Sequence, residues 1–76
     1  MNAILSKKYQ LITLLRQIRQ EANLTQLQLA VKIGHTQSFI SKYENGDKGL
    51  DLIELELICG AAGISLLKFV ERYLES

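Results

Sequence analysis

Over residues 24–46 the chain reads LTQLQLAVKIGHTQSFISKYENG, and this stretch constrains the fold more than any other. Thr25 is a good N-cap, and Leu29, Ala30 and Ile33 then fall on one helical face. Residues 34–36 break that pattern, because Gly34 tolerates a positive φ and Thr36 can cap whatever follows. A second helix is predicted over about 37–45, burying Ile40 and either Tyr43 or Glu44. Its outer face carries Gln37, Ser38, Ser41 and Lys42, and Asn45-Gly46 suits its C-terminal stop. The chain must therefore hold two short amphipathic helices across a tight polar turn.

Two helices joined in this way form a helix-turn-helix, whose second helix enters the DNA major groove. The residues point to a DNA-binding module. Their offsets also resemble a known family: LTQ, then LA, IG, TQS, IS and YENG are similar to the helix-turn-helix of phage repressors, Cro proteins and their Xre-like bacterial relatives. The resemblance extends upstream to the LLRQIR run at 14–19 and downstream through residues 50–64. It implies an all-α fold, the compact five-helix bundle of the phage-repressor DNA-binding domain, with the helix-turn-helix at helices 2 and 3.

Composition agrees with one domain spanning 1–76, at the small end of what folds alone. The hydrophobic fraction of 47% gives a modest core, and there is no long apolar run to span a membrane. The start, MNAILSKKYQ, lacks a basic segment before a sustained apolar stretch, so no secretory leader is expected. Cytoplasmic, nucleoid-associated localisation follows as the expectation. Cys59 is alone, which excludes a disulfide framework, and its neighbours Leu57, Ile58, Ala61 and Ala62 mark it as a core residue. Charge is distributed unevenly: residues 1–50 carry seven basic against three acidic side chains, and residues 51–76 two against five. A basic front and an acidic back suit a protein that turns one end toward phosphates, although an ordinary solvated surface gives the same count.

Without proline, low-complexity sequence or an internal repeat, five helices and no linker are expected. Helix 1 is predicted over about 6–22, with Leu11, Leu15, Ile18 and Ala22 on one face. Helix 4 is predicted over about 52–62, capped by Asp51 and ended by Gly63, with Leu52, Leu55, Ile58 and Cys59 facing inward. Ser65 can cap a last helix, within about 65–75, dense in apolar residues. One face of it can cover the core. Leu67, Val70, Tyr73 and Leu74 are candidates for a homodimer interface, since large exposed apolar patches mark binding surfaces. Two alternatives remain open: closure of the monomer core, and docking of a different protein, as in antitoxin-like relatives that bind a toxin.

The resemblance also implies roles for individual residues. A Gln at the position of Gln26 opens helix 2 beside the DNA backbone, though it could simply cap its helix. A Gln at the position of Gln37 reaches a base edge, and its amide can pair bidentately with adenine. Lys42 suits guanine or a phosphate, and Ser38 either kind of partner. Thr36 and Ser41 are phosphate-binding or capping hydroxyls, and Lys48 matches a backbone contact in the following loop. Asp47 and Gly49 flank Lys48, a departure from the more basic examples of the family that the chain resembles. Lys7 and Lys8 read as a solvated pair. Phe39 could touch a thymine methyl or pack against helix 2, with packing preferred. Arg19 and Glu44 match a structural ion pair from helix 1 to the recognition helix, with Arg16 as the rival partner.

His35 stands without ligand-spaced acids and reads as a turn residue near phosphate, so neither a metal nor another cofactor is expected. No nucleophile–base pair or phosphate-binding glycine loop occurs, which argues against an enzyme. The sequence thus describes a DNA-binding transcriptional regulator of the repressor type by resemblance, with repression and activation both open as outcomes. Two copies on a palindromic operator would place their recognition helices ~34 Å apart.

Overall fold

The computed structural model describes residues 2–75, and its elements are α1 (Ala3–Glu21), α2 (Gln26–Ile33), α3 (Gln37–Glu44), α4 (Leu52–Ala61) and α5 (Leu66–Glu75). No strand is present among the described residues. Every helix starts at a side-chain cap that satisfies one of its orphan N–H groups. Asn2, Thr25, Thr36 and Asp51 accept from Leu5, Gln28, Phe39 and Glu54 respectively, and the Ser65 hydroxyl accepts from Lys68. In α2 and α4 the cap is reciprocal: Gln28 and Glu54 accept the backbone N–H of Thr25 and Asp51 at 2.9 Å.

Helix α1 begins at Ala3, three residues before the start expected at about 6. Asn2 supplies the cap. Ala3, Ile4 and Leu5 are exposed, so the first turn has no buried face for periodicity to reveal.

The core is drawn from all five helices. Leu14, Leu15 and Ile18 of α1 meet Leu29 and Ala30 of α2, Phe39, Ile40 and Tyr43 of α3, Ile58 and Cys59 of α4, and Phe69 of α5. Helix α2 packs on α3 and α4, while α1 packs on α3 and α5. Burial alone pushes the Cys59 thiol up to about 11, which suits an inert core thiol. Burial also raises the Tyr43 hydroxyl above its ordinary range.

One residue expected to face inward, Leu52, is exposed, and one candidate for the outer dimer surface, Tyr73, packs inward. Leu52 is 67% exposed: apolar residues surround α4, and only Ile58 and Cys59 are fully buried, with Leu55 partly so. Tyr73 is half-buried against the core, sharing with Leu66 and Phe69 the inner face of α5. Leu67 and Leu74 remain exposed, and Val70 is at the margin.

Outside the core, Arg72 of α5 donates two hydrogen bonds to Glu21 of α1, at 2.9 and 3.0 Å. The bond from Arg72 holds the Glu21 carboxyl below its ordinary range. A depressed folded-state value means the unfolded chain protonates first on acidification. The pair's contribution is therefore present above the ordinary carboxylate range and is lost as pH falls through the lowered value. A Glu21→Gln variant is expected to melt below the wild type near neutral pH. In melting curves collected across pH, that gap should close in acid.

Candidate nucleic-acid interface

Helix α3 is fixed at both ends before any ligand is considered. At its start, Gly34 adopts φ +70° and the His35 N–H donates to the Ala30 carbonyl at 2.9 Å, ending α2 and turning the chain. At its end, Gly46 adopts φ +81° and the Asp47 N–H donates to the Lys42 carbonyl at 2.8 Å. A side chain at Gly46 would be strained by that φ, and its Cβ would lie 3.1 Å from Ile12 Cδ1. The expected C-terminal stop is thus divided between two residues. Asn45 remains right-handed as the cap, and Gly46 makes the left-handed turn.

The inner face of α3 is Phe39, Ile40, Tyr43 and Glu44, all buried. Both alternatives for the second inward residue, Tyr43 and Glu44, are therefore used. On the outer face Gln37, Ser38 and Lys42 are exposed. Ser41 is half-buried and its hydroxyl accepts from Asn45 Nδ2 at 3.4 Å. The Thr36 hydroxyl is occupied as the cap of α3.

Glu44 is the anchor of the inner face. Its side chain has no exposed surface. Arg19 Nε donates to Oε2 at 2.7 Å and Arg19 Nη2 to Oε1 at 3.0 Å, the bidentate geometry that suits guanidinium and carboxylate. Arg19 Nη1 also donates to the Leu24 carbonyl at 2.9 Å. The hydrogen bonds to Glu44 raise the already high Arg19 pKa. Arg16 is a second partner rather than a rival: its Nη2 donates to the Glu44 backbone carbonyl at 3.0 Å, and its Nε lies 3.6 Å from Oε1. Gln26 Nε2 completes the set, donating to Oε1 at 3.2 Å. The Gln26 side chain thus joins α2 to α3 within the protein, and the cap of α2 is Thr25.

Phe39 lies in the core rather than on the groove-facing side. The His35 ring stacks on it at 3.7 Å between centroids, and Tyr43 meets it edge-on at 5.6 Å. The Lys48 ammonium lies 5.4 Å from its centroid, and the Lys7 ammonium 5.5 Å from that of Tyr73. Sequence reasoning missed the ring contacts of His35 and Lys48. Those residues are four and nine positions from Phe39, and only the turn and loop geometry brings them together.

Among the described residues no group of three or more His, Cys, Asp or Glu side chains is placed to hold a metal ion, and no helix is long and apolar enough to cross a membrane. The arrangement is a short helix with a polar outer face and a packed inner face, set behind a left-handed turn. Helices α2 and α3, joined across that turn, form a helix-turn-helix.

The comparisons agree. The model of the helix-turn-helix family matches residues 15–69. An XRE-family-like protein from Pseudomonas syringae pv. tomato is 36% identical, with 95% of this chain and 89% of that one aligned at a TM-score of 0.85. A point variant of the restriction–modification controller protein C.Esp1396I is 28% identical, covers 99% of this chain and 92% of its own, and also superposes at 0.85. The tetramer of that controller in complex with its natural 35-base-pair operator is 28% identical, with 91% of each chain aligned at a TM-score of 0.82. No curated protein matches the sequence. The chain belongs to the XRE-like family of helix-turn-helix, DNA-binding transcription regulators.

Proposed function

We propose that residues 1–76 act as one domain that recognises a specific double-stranded operator, with α3 in the major groove, and works by binding rather than catalysis. The observation that carries this reading is the division of α3. Gln37, Ser38 and Lys42 are exposed along a helix whose other face is fixed by Phe39, Ile40, Tyr43 and Glu44. A polar face held so rigidly loses little freedom on meeting base edges. In this reading Gln37 reads a base, Lys42 contacts a base or phosphate, and Lys48 contacts the backbone. Thr36 and Ser41 offer hydroxyls beside their capping roles, and Gln26 acts by seating α2 against Glu44.

The operator is a palindrome bound by a homodimer, joined through the apolar outer surface of α5. Leu67, Val70 and Leu74 form that surface. Binding of an operator by the tetrameric controller protein, a relative of similar size and fold, supports an assembled DNA-binding form. Gln37→Ala is expected to weaken the cognate site by ~1–3 kcal/mol while leaving random DNA nearly unaffected. Titration of both duplexes by fluorescence anisotropy checks this, and equal losses on both would remove the reading role.

A further inference from the structure

We propose that Phe39 is a positioning residue for DNA binding, holding His35 and Lys48 so that the turn before the recognition helix and the loop after it present their side chains to the phosphates together; this rests on the DNA reading above. The ring is buried in the core, so its place is set by packing and not by a ligand. His35 is exposed and lies against that ring at 3.7 Å with 15° between planes. Lys48 is exposed as well, and its ammonium lies 5.4 Å from the same centroid. One residue precedes the Thr36 cap and the other follows Gly46, so a single ring touches both segments that bound an eight-residue helix.

The chemistry suits pre-positioning. A ring attracts an ammonium without neutralising it, so Lys48 keeps its charge for a phosphate. A lysine held near its working place loses less rotamer freedom on binding than a solvated one. The His35 and Asp47 backbone N–H groups already hold the flanking backbone, and the ring adds a restraint on the His35 and Lys48 side chains.

The test compares wild type, Phe39→Leu, Lys48→Met and the double variant. Operator affinity and its salt dependence are measured by anisotropy, and the lysine side-chain protons by NMR without DNA. Wild-type Lys48 ε-protons are expected to be shifted upfield by the ring, and that shift should vanish in Phe39→Leu. Phe39→Leu is expected to weaken operator binding about fivefold and to lower the salt slope by about 0.9 per protomer. The double variant should bind no worse than Phe39→Leu alone. A Phe39→Leu protein that melts earlier but keeps wild-type affinity and slope would reduce the residue to packing and overturn the proposal, as would additive losses. If Phe39→Leu fails to fold, His35→Ala and Lys48→Met carry the test. Each should weaken binding, with coupling between them; independent effects would overturn the proposal. Failure of the wild type to bind any duplex would overturn the DNA reading itself, and the role given to Phe39 with it.

Discussion

Replacing Glu44 by alanine is expected to cost ~3–5 kcal/mol, a large part of the 5–15 kcal/mol that holds a typical domain together. The carboxylate is fully buried and receives Arg19 twice and Gln26 once, while its backbone carbonyl receives Arg16. Removal would leave Arg19, whose side chain is 12% exposed, with its charge unpaired at the junction of α1, α2 and α3. Arg16 adds little to the loss, since its side chain is 47% exposed and its hydrogen bond is to the backbone carbonyl that alanine keeps. Urea unfolding of Glu44→Ala checks the magnitude. A loss below ~1 kcal/mol would show that the network contributes no more than a surface pair. Replacing Arg19 and Glu44 together by leucine should be far milder, because no buried charge is then stranded. The contrast separates the worth of the pair from the cost of breaking it.

Phe69→Ala is the second large effect, expected at ~3–5 kcal/mol. Phe69 is the one fully buried side chain of α5, and beyond it the helix is held by half-buried Leu66 and Tyr73 and by the Arg72–Glu21 pair. Truncation should release α5 before the rest of the core, giving early loss of amide protection confined to residues of that helix. Because the proposed dimer surface lies on the same helix, the dimer should dissociate with it. Leu67→Asp is the control, since Leu67 is 71% exposed. It should leave the fold's stability within ~0.5 kcal/mol while shifting the protein to monomer in sedimentation. A Phe69→Ala protein with α5 amides as protected as in the wild type would contradict the packing account. An unchanged dimer in Leu67→Asp would move the interface off α5.

Local chemistry made part of this structure legible before any coordinates. Thr25, Thr36, Asp51 and Ser65 declare their helices because an N-cap is decided by a side chain and an N–H three residues away. Periodicity from the turn at Gly34 gives the outward set Gln37, Ser38, Ser41 and Lys42, of which Ser41 is half-buried and the other three are exposed. Asn2 was overlooked for the converse reason, since an exposed first turn gives no apolar pattern. Other features depend on distance in sequence. The Glu21–Arg72 pair spans 51 residues, and neither side chain carries a local sign of the other. In α4, apolar residues all round the helix hid which face was inward, and Leu52 was misassigned as a result. The Arg19–Glu44 pairing came through family resemblance, whereas the shared use of Glu44 by Arg16 and Gln26 required three helices in place. For the same reason Gln26, read as a DNA-backbone residue, has its amide on a buried carboxylate.

The central claim is that α3 reads an operator sequence, and selection from a random duplex library tests it most directly. Purified protein, shown to be folded, would be challenged with the library at moderate salt and the retained duplexes sequenced. An enriched inverted repeat, with half-sites spaced about one helical turn apart, is the result the account predicts. Retention of random sequences, or of none, would contradict it.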